Sequence, residues 1–511
     1  MIRFSFWLFS ISVLLLSFST NASDRRFGDT SLKKVNPVIP GDIPDPSVIH
    51  INDSYYASGT SSEWGPYFPL FKSTDLVRWN QIGYIFQEKP AWAISSFWAP
   101  ELFYHHNKIF AYYVAKRKTD SVACIGVAVA DHPGATFHDR GILLAYGKEA
   151  IDPFVFKDNG SLYLTFKAYG LDRRPIEILG YKLSEDGLKL EGQPFTLLRD
   201  DNHTLMEGQC IIKKNNYYYL FYSAGNCCGP QCSYNVRIAR ANHITGPYQT
   251  FDKPILAEEA LWKCPGHGTV VEAKNGKLYY LYHAYQKKDD IYTGRQGMLK
   301  ELLWDKNTGW PHFREPTLPA SNARTLNFVD EFNTNELSNR WQWDIKYHQP
   351  SVKIKKSRLH LGSYEESENK IGAAITIRPY SGSYNIYTQI IGRQPFLQGL
   401  VVYGDDHNAI GLGTLGNKLR VWEIHDGKQQ ILNEEVLTDS RPRIRICAKN
   451  GEIYRFFYQL RNKKWQEIKV NGKNYDGAFL PRWDRSPRPG LIAKGKVGSQ
   501  AIFANFAMLS R

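Results

Sequence analysis

Methionine, long apolar segments and blocks of like charge are all scarce in this sequence. Only 4 of its 511 residues are Met. Beyond the first 22 residues, no stretch reaches the roughly 18 consecutive apolar residues that a membrane-spanning helix requires. No run of five like charges occurs, and neither does the spacing of a zinc finger or a basic zipper. The sequence therefore gives no sign of a membrane span and no motif for a nucleic-acid partner.

Aromatic residues are abundant, and helical periodicity is almost absent. Aromatics make up 14% of the chain, with 31 Tyr, 27 Phe and 13 Trp, and hydrophobic residues make up 42%. This bias favours strands over helices and supplies flat faces on which sugars can stack. A chain of this length and apolar content has room for about three domains of ordinary size. The composition predicts an all-β protein with a large core.

The first residues have the pattern of a secretion signal. Arg3 precedes an apolar stretch that runs from Phe4 to Phe18, and Thr20-Asn21-Ala22 has the small residues of a cleavage site. We predict a signal peptide over residues 1–22 and a periplasmic or secreted mature protein that begins near Ser23.

Seven cysteines fit an oxidising compartment, but their odd number means that they cannot all pair within the chain. Cys227, Cys228 and Cys232 lie in one loop without the spacing of a zinc site. A disulfide or a packing role is therefore favoured over a metal. The sequence leaves the pairing open, and a disulfide in this loop would stiffen the segment that follows a Tyr-rich strand.

The positive charge is concentrated in the C-terminal third of the chain. The formal net charge is +14, and residues 321–511 hold 29 Lys and Arg against 18 Asp and Glu, a net of +11. Residues 1–320 therefore carry only +3. A solvated basic surface is the favoured interpretation, and contact with an acidic polymer is the alternative.

Five segments of the chain repeat one plan, in which a polar residue precedes a short apolar run, a turn and an aromatic-rich strand. Their polar residues are 56, 51, 55 and 60 residues apart. Repeats of this size that hold several short strands are typical of propeller blades. We predict a five-bladed β-propeller over residues 36–318. The segments begin with Asp45-Pro46-Ser47-Val48-Ile49, Trp98-Ala99-Pro100-Glu101-Leu102-Phe103, Asp152-Pro153-Phe154-Val155-Phe156, Glu207-Gly208-Gln209-Cys210-Ile211-Ile212 and His267-Gly268-Thr269-Val270-Val271.

The innermost strands of a propeller line its central channel, so these segments should bring their polar residues to one channel mouth. Gathering several carboxylates in one place is costly unless a function or an ion requires them. An Asp-Pro pair alone would indicate only a turn. Five polar residues at equivalent positions of five repeats instead favour a functional site. The five residues are Asp45, Glu101, Asp152, Glu207 and His267.

The chain changes character after the repeats. Pro316, Pro319, Ala320 and Ser321 read as a linker, and eleven short strand-like runs follow between Gly and Asn turns. This many short strands in a segment of this length predicts a two-sheet β-sandwich over residues 325–511.

The repeated segments resemble glycoside hydrolase family 43 across all five blades. Each motif is weak alone, but their order and spacing together are specific. The matching motifs are Pro44-Asp45-Pro46-Ser47, Trp98-Ala99-Pro100-Glu101, Ile151-Asp152-Pro153, Glu207-Gly208 before a Tyr-rich strand, Gly266-His267-Gly268, Tyr282-His283-Ala284-Tyr285 and Gly294-Arg295.

The resemblance implies a role for each matching residue and hydrolysis with inversion at the anomeric carbon. The implied catalytic groups are Asp45 as general base, Glu207 as general acid and Asp152 as the carboxylate that orients the acid and keeps its pKa high. The implied substrate contacts are Trp98 and Arg295, and we add Glu101 because of its place in the repeat. His267 matches a histidine that in many relatives lies near a central ion, commonly calcium, through water. No cofactor is required for the chemistry, since hydrolysis needs one protonated and one ionised carboxyl group.

The sandwich also has a counterpart, because Phe328-Val329-Asp330-Glu331-Phe332 with Trp341 resembles the concanavalin-like domain attached to many family 43 enzymes. In some relatives that domain lends a loop to the active site, and no motif here decides the point. We predict removal of terminal α-L-arabinofuranosyl or β-xylosyl residues from plant polysaccharides, with pectin-linked substrates suggested by the basic sandwich.

Other activities and classes of protein stay open at this point. An endo-arabinanase, another furanosidase or a galactosidase would use the same fold. Glycoside phosphorolysis would need a basic phosphate cluster, of which only Arg295 stands out. A non-catalytic sugar-binding propeller is opposed by the presence of all three carboxylates.

Overall fold

The computed structural model describes residues 35–316, 318, 326–364, 369–461 and 463–510, so the predicted signal peptide lies outside the described residues. The described residues from Val35 onward belong to one compact unit. Strands make up almost all regular structure in the described residues, and the helix α1 (Asp290–Thr293) has a single turn. None of the described helices has the length and apolar character that crossing a membrane would require.

Five four-stranded antiparallel sheets follow one another along the chain, and the outer strand of each is the last in sequence. The first sheet holds β1 (Ser47–Ile51), β2 (Ser54–Ser58), β4 (Tyr67–Ser73) and β5 (Asn80–Phe86), with β3 (Trp64–Gly65) outside it. The second holds β6 (Ala93–His105), β7 (Lys108–Arg117), β8 (Ala123–Ala130) and β9 (His138–Leu144), and the third holds β10 (Ala150–Asp158), β11 (Ser161–Ala168), β12 (Glu177–Leu183) and β13 (Leu190–Arg199). The fourth holds β14 (Glu207–Lys214), β15 (Tyr217–Ala224), β16 (Asn235–Ala241) and β17 (Gln249–Thr250), and the fifth holds β18 (Trp262–Glu272), β19 (Leu278–Gln286), β20 (Arg295–Trp304) and β21 (Pro311–Arg314).

These sheets are the blades of a five-bladed propeller, which confirms the predicted fold. The inner strands β1, β6, β10, β14 and β18 each lie against the next, and β18 returns to β1. The ring therefore brings the start of every inner strand to one end of a shared channel.

Aromatic strands hold neighbouring blades together. Tyr55 of the first blade packs in one buried cluster with Tyr279 of the fifth, and Tyr112 of the second packs with Phe166 of the third. Because strand side chains alternate between the two faces of a sheet, one face of each Tyr-rich run is buried against the next blade. The abundance of Tyr in the sequence is thus largely a consequence of packing between blades.

The start of the described chain closes the ring. The amide of Val38 donates to the carbonyl of Gly297 at 2.9 Å, and the amide of Gly297 donates to the carbonyl of Ile39 at 2.8 Å. Asn36 adds side-chain hydrogen bonds to the backbone of Leu299. Residues 36–43 are therefore fixed to the fifth blade directly before the first inner strand.

The C-terminal third forms two facing antiparallel sheets around a large apolar core, which confirms the predicted β-sandwich. Chain order begins with β22 (Phe328–Asp330), β23 (Trp343–Asp344), β24 (Val352–Ile354), β25 (Leu359–Gly362), β26 (Ala373–Thr376), β27 (Tyr384–Ile390), β28 (Leu397–Asp405) and β29 (Asn408–Leu415). It continues with β30 (Lys418–His425), β31 (Lys428–Val436), β32 (Arg443–Lys449), β33 (Ile453–Gln459), β34 (Gln466–Ile468), β35 (Tyr475–Asp476), β36 (Arg488–Lys494) and β37 (Gln500–Ser510). One sheet has the order β24-β25-β37-β27-β32-β33-β34, with β22 beside β37 and β35 beside β33, and the other has the order β26-β36-β28-β29-β30-β31.

A strand pair joins the sandwich to the propeller. β23 of the C-terminal third pairs with β3, which lies between two strands of the first blade. The guanidinium of Arg488 lies 4.1 Å from the ring centroid of Trp64, and Trp64 is almost fully buried. The backbone pairing and this buried contact place the loop that precedes β36 at the mouth of the propeller channel.

Candidate active site

The inner strands share a β-bulge at the channel mouth. In β6, β10, β14 and β18 the pairing with the next strand loses register at the same place. A bulge re-aims a side chain that would otherwise follow the alternation of the strand. One residue at each of these places, and one just before β1, has a positive φ, at Asp45 (52°), Ala99 (42°), Asp152 (57°), Gly208 (62°) and His267 (37°).

The positive φ values identify which residues are structurally equivalent. These conformations cost a non-glycine residue on the order of 1–3 kcal/mol and cluster at functional sites. Asp45, Asp152 and His267 are equivalent positions on three blades, whereas Glu207 directly precedes the equivalent position of the fourth. The bulges therefore bring the carboxylates of Asp45 and Asp152 and the imidazole of His267 together, with the carboxylate of Glu207 beside them.

Asp45 is held as an ionised carboxylate. Thr60 Oγ1 donates to its Oδ2 at 2.6 Å, and Arg295 Nη1 lies 3.4 Å from its Oδ1. Burial by itself raises the pKa of Asp45, but the charge of Arg295 leads the effects that outweigh it and lower the pKa to about 2. Asp45 is thus ready to accept a proton across the whole neutral range.

His283 orients Asp45 without being charged. The backbone amide of Asp45 donates to His283 Nδ1 at 3.0 Å, so this nitrogen acts as an acceptor. Burial and the nearby Arg295 hold the pKa of His283 well below its ordinary value. The 3.3 Å approach of Nδ1 to the carboxylate of Asp45 is therefore not an ion pair.

Asp152 has the opposite electrostatic character. Its Oδ2 accepts a hydrogen bond from the backbone amide of Gly208 at 2.9 Å. Burial, together with the negative charges of Glu207 and Asp45, raises the pKa of Asp152 to about 7. The site thus contains an ionised carboxylate at Asp45 and a carboxyl that retains a proton close to neutral pH.

Glu207 lies between a tyrosine and a buried lysine. Its Oε1 accepts a hydrogen bond from Tyr234 Oη at 3.1 Å, and its Oε2 lies 3.1 Å from Lys167 Nζ. Lys167 Nζ also lies 2.6 Å from Glu149 Oε1. Burial lowers the pKa of Lys167, but the two glutamates outweigh it and hold that pKa above its ordinary value. Both oxygens of Glu207 are therefore fixed in position.

His267 approaches both aspartates, with its Nδ1 3.5 Å from Asp45 Oδ1 and 3.7 Å from Asp152 Oδ2. These three side chains do not bring one ligand atom each within 4.8 Å of one another, so they do not form a metal site built from protein ligands alone. A calcium ion here would depend on water, since Ca²⁺ takes six to eight oxygen ligands.

A compact group of acidic residues and a histidine does occur in the sandwich, at Asp405, Asp406 and His407. Arg482 Nε lies 2.9 Å from Asp405, and Lys346 Nζ lies 2.5 Å from Asp406. These cations already balance the two carboxylates, so the group gives no reason to assign a metal.

The structure buries Glu101 and does not place it among the lining residues of the pocket that holds the other predicted site residues. Ala99 has the positive φ that marks the equivalent of Asp45. Glu101 lies two residues further along its strand and therefore corresponds to Ser47. Ser47 Oγ donates to Glu101 Oε2 at 2.6 Å, and only 6% of Glu101 is exposed. The regular spacing of the repeats could not reveal the bulge in β6, which makes Ala99 and not Glu101 the equivalent of Asp45.

Burial raises the pKa of Glu101 to about 8, although hydrogen bonds from Ser47 and the backbone of Val155 oppose this effect. An unfolded glutamate ionises near its ordinary pKa of about 4.3, so folding is increasingly penalised as the pH rises from there toward 8. We expect Glu101→Gln to gain about 3 kcal/mol relative to the wild type between pH 4 and pH 7. Melting temperatures measured across this range would show the gain.

The control for that experiment is Glu88→Gln, since Glu88 is exposed on the same propeller. Its stability should follow the wild type at every pH. A difference between Glu101→Gln and wild type that stays constant from pH 4 to pH 8 would contradict a neutral buried Glu101.

The converging groups line one pocket of about 310 Å³. Trp98 lies in its wall, with Lys116 Nζ 5.8 Å from the ring centroid, and Arg295 lies beside Asp45. The pocket thus brings together all the site residues predicted from the sequence except Glu101. Those lining residues are Asp45, Trp98, Asp152, Glu207, His267 and Arg295.

The sandwich contributes directly to this pocket, which answers the question that the sequence left open. Trp483 and Asp484 are among the lining residues. Arg295 Nη2 donates to the carbonyl of Asp484 at 3.3 Å, and the amide of Ser486 donates to the buried carboxyl of Asp42 at 3.2 Å. The same arginine therefore contacts the ionised carboxylate of the propeller and the loop of the sandwich.

A family model described as "Glycosyl hydrolases family 43" matches residues 35–311, which is more than half of the chain. The chain belongs to glycosyl hydrolase family 43. It is therefore a glycoside hydrolase, and the family chemistry needs no cofactor.

The match between this family 43 enzyme and two of its curated relatives covers most of the length of each relative. An extracellular exo-α-(1→5)-L-arabinofuranosidase of Cellvibrio japonicus (strain Ueda107) is 28% identical over 327 residues, which are 56% of this chain and 90% of that protein. A xylan 1,3-β-xylosidase of a Vibrio species is 26% identical over 497 residues, which are 85% of this chain and 90% of that protein. The second relative spans the sandwich as well as the propeller.

A solved structure shows the same two-part fold. The xylan β-1,4-xylosidase of Bacillus halodurans C-125 superposes with a TM-score of 0.81 at 21% identity, over 93% of this chain and 99% of that one. At this identity the likeness establishes the fold alone. The propeller and the sandwich thus occur together, in one chain, in another solved structure.

Sequence reasoning missed several residues of this family 43 site. Thr60, Tyr234 and Glu149 carry no local motif, because only the folded chain brings them to the carboxylates. Lys167 did leave a signal, since it is the one charged residue of the strand β11. His283 stands in a motif of the resemblance, but its role as the acceptor for the Asp45 amide needed the structure.

Proposed function

We propose that this family 43 enzyme removes terminal α-L-arabinofuranosyl or β-xylosyl residues from plant polysaccharides or oligosaccharides with inversion of configuration. The observation that carries the proposal is the pairing of an ionised Asp45 with a proton-retaining carboxyl group in one pocket of modest size. The names of the curated relatives, an exo-arabinofuranosidase and a xylosidase, support a terminal pentose.

In the proposed mechanism Asp45 takes a proton from the attacking water, and Glu207 gives a proton to the leaving oxygen. Water attacks the anomeric carbon on the face opposite to the leaving group, which inverts the configuration. Arg295 and Thr60 keep Asp45 ionised and oriented. Tyr234 and Lys167 hold the carboxyl group of Glu207 in place.

Asp152 acts in this scheme as the store of the site's proton. Its raised pKa keeps one proton on the buried carboxyl groups at a pH where isolated carboxyls have lost it. Asp152 therefore sets the pH above which the site loses this proton.

The pH dependence of hydrolysis follows from the base, Asp45, and from the proton that the acid needs. Asp45 must be ionised, and its pKa of about 2 keeps it so throughout the weakly acidic and neutral range. The acid must be protonated, and Asp152 loses the proton of the site as the pH rises through about 7. We expect kcat/KM to be flat from about pH 4 to 6 and to fall tenfold per pH unit well above 7. A rate that rises above pH 7 would contradict the assignment.

Aryl α-L-arabinofuranoside and aryl β-xyloside substrates test the function directly. Release of the aryl group from either, with an inverted anomeric sugar seen first by proton NMR, would support the proposal. An endo-arabinanase would instead cut linear arabinan internally, with a rapid fall in viscosity and no action on the aryl substrates. Binding of sugar without any hydrolysis would indicate a non-catalytic propeller.

Export to the periplasm or the medium is part of the proposal. It is supported by the signal-like residues 1–22 and by two disulfides, which persist in oxidising compartments. Relatives named as extracellular point the same way. A mature N-terminus that begins near Ser23 in the secreted protein would be the expected result of N-terminal sequencing.

We also propose calcium in the channel, held through water near His267, because the resemblance suggests it. The residues around His267 supply no complete set of ligands, so we derive no catalytic step from the ion. Chelation should lower the melting temperature if the ion is bound, and an unchanged melting temperature would exclude it.

Pectin-linked substrates are proposed from the basic sandwich. Arg441, Arg443 and Arg461 line one cavity of its surface. Affinity for polygalacturonate-linked arabinan should fall as salt is added, because exposed charges are screened. Affinity that does not change with salt would remove this part of the proposal.

A further inference from the structure

Two adjacent cysteines form part of the wall of the active-site pocket. Cys227 and Cys228 are joined by a disulfide, and both residues line the pocket while remaining partly exposed. A disulfide between neighbours closes a small covalent ring whose outer surface is sulfur and Cβ. Such a surface has no strong hydrogen-bond donor and is polarizable. It is suited to contact C–H groups and not to hold charge.

The disulfide lies on the same side of the pocket as Glu207. Glu207 pairs with Ser223 in the ladder between β14 and β15, and the loop that carries the disulfide begins just after Ser223. The loop ends at Tyr234, which donates to Glu207 Oε1. Both ends of the loop are thus fixed beside the proposed general acid. Since the acid protonates the leaving oxygen, the leaving group must lie on this side.

The loop between these ends is rigid. A second disulfide joins Cys232 to Cys264 at the start of the fifth blade. The amide of Gly229 donates to Tyr285 Oη at 3.3 Å, and Lys263 Nζ donates to the carbonyl of Pro230 at 3.0 Å. The Cys227–Cys228 ring is therefore held in one position and does not need to be ordered by a ligand.

Other walls of the pocket also present exposed apolar groups. Trp483 of the sandwich is 60% exposed and Leu171 of the third blade is 68% exposed, and both line the pocket. Large apolar side chains that are exposed around a polar site mark a binding surface. A Cβ placed on Gly229 would lie 3.4 Å from the carbonyl oxygen of Trp483, so the disulfide loop and the sandwich loop are neighbours.

We propose that the Cys227–Cys228 disulfide and Trp483, with Leu171, form the binding site for the sugar on the leaving-group side of the scissile bond. The occupant is a neutral sugar unit of the polysaccharide, whose C–H faces contact sulfur and indole. This inference rests on the proposed hydrolysis, because the side of the leaving group is defined by Glu207. The intact disulfide is part of the binding surface, so its reduction weakens binding of long substrates.

The test compares two substrates that share the terminal pentose. A pentosyl fluoride has only fluorine as its leaving group, whereas the matching oligosaccharide places a sugar on the leaving side. We expect Trp483→Ala and the double variant Cys227→Ser/Cys228→Ser to raise KM for the oligosaccharide about tenfold and to leave kcat/KM for the fluoride within twofold. Val497→Ala, which removes another exposed apolar side chain of the sandwich, is the matched control and should change neither value.

Reduction of the Cys227–Cys228 disulfide in the wild-type enzyme provides a second test, which does not depend on the folding of a variant. Dithiothreitol transfers two electrons and two protons to the disulfide, which gives two thiols while the reagent closes to its own cyclic disulfide. Thiol alkylation and mass spectrometry identify enzyme in which only Cys227 and Cys228 are reduced. That enzyme should show the same selective rise in KM for the oligosaccharide.

The outcomes separate the two proposals. If wild-type enzyme hydrolyses neither substrate, the proposed function fails. If it hydrolyses both and the variants lose activity equally on both, or on neither, the leaving-group site is overturned while the proposed function stands. A selective effect in Trp483→Ala with no effect of reduction would remove the disulfide from the site.

Discussion

An Asp45→Asn variant should fold like the wild type and hydrolyse glycosides more slowly by a factor on the order of 10³. The amide has the shape of the carboxylate, and its oxygen can still accept the hydrogen bond from Thr60. It cannot accept a proton from water near neutral pH, so the attacking water loses its base. Initial rates on an aryl pentoside would measure the loss, and the melting temperature would confirm the fold.

Asp53→Asn is the matched control, because Asp53 lies in the turn after β1 of the same blade with its side chain almost fully exposed. This change should leave the rate unchanged. An Asp45→Asn variant with wild-type activity would refute the role of Asp45 as base, whatever its stability.

Glu207→Gln should lose activity in a different way, which separates the acid from the base. Loss of the acid matters most when the leaving oxygen needs a proton, as in a natural sugar, and least for a dinitrophenyl leaving group. We expect a loss on the order of 10³ for the oligosaccharide and a much smaller one for the dinitrophenyl glycoside. Asp45→Asn should be equally impaired on both. The same dependence on leaving group in both variants would contradict the assignment.

Arg295→Gln should reduce kcat/KM by about 10- to 100-fold and move the acidic limb of the pH profile toward neutral pH. The charge of Arg295 leads the effects that together outweigh burial and lower the pKa of Asp45 to about 2. Without it burial raises that pKa, so the base becomes protonated, and activity is lost, at a higher pH than in the wild type. Profiles of kcat/KM from pH 3 to 7 would show the shift.

Arg295→Lys is the companion variant, since lysine keeps the charge but not the planar fork of donors. Its acidic limb should stay closer to that of the wild type even if its rate is reduced. An unmoved acidic limb in Arg295→Gln would mean that the arginine contacts sugar without setting the protonation of Asp45.

The repeat pattern was sufficient to predict the fold because each blade carries its own copy of the signal. A polar opening residue, a short apolar run and a Tyr-rich strand recur five times, and errors in one copy do not obscure the others. The same pattern led to Asp45, Asp152 and His267, whose positive φ values now show them to be equivalent. The Gly and Asn turns predicted eleven strand-like runs in the sandwich, where the described residues form sixteen strands.

Local geometry and long-range contacts were beyond the reach of the sequence. The bulge that makes Ala99, not Glu101, the equivalent of Asp45 changes the backbone by one or two residues and leaves no mark on composition. The contact of Arg295 with Asp484 joins residues that are 189 positions apart. Pairing of the cysteines likewise depends on which loops meet. Such features arise from tertiary packing, which residue types alone do not encode.

The bond between Arg295 and the sandwich also bears on how this enzyme can diversify. The proposed catalytic carboxylates lie at or beside the bulges of the propeller's inner strands, whereas Trp483 belongs to a loop of the sandwich. Substitution of Trp483 would therefore change the wall of the pocket without removing the carbonyl of Asp484 that Arg295 contacts. Exchange of whole C-terminal regions between relatives would carry substrate preference with it, and a propeller deprived of its own partner would inherit an incomplete pocket.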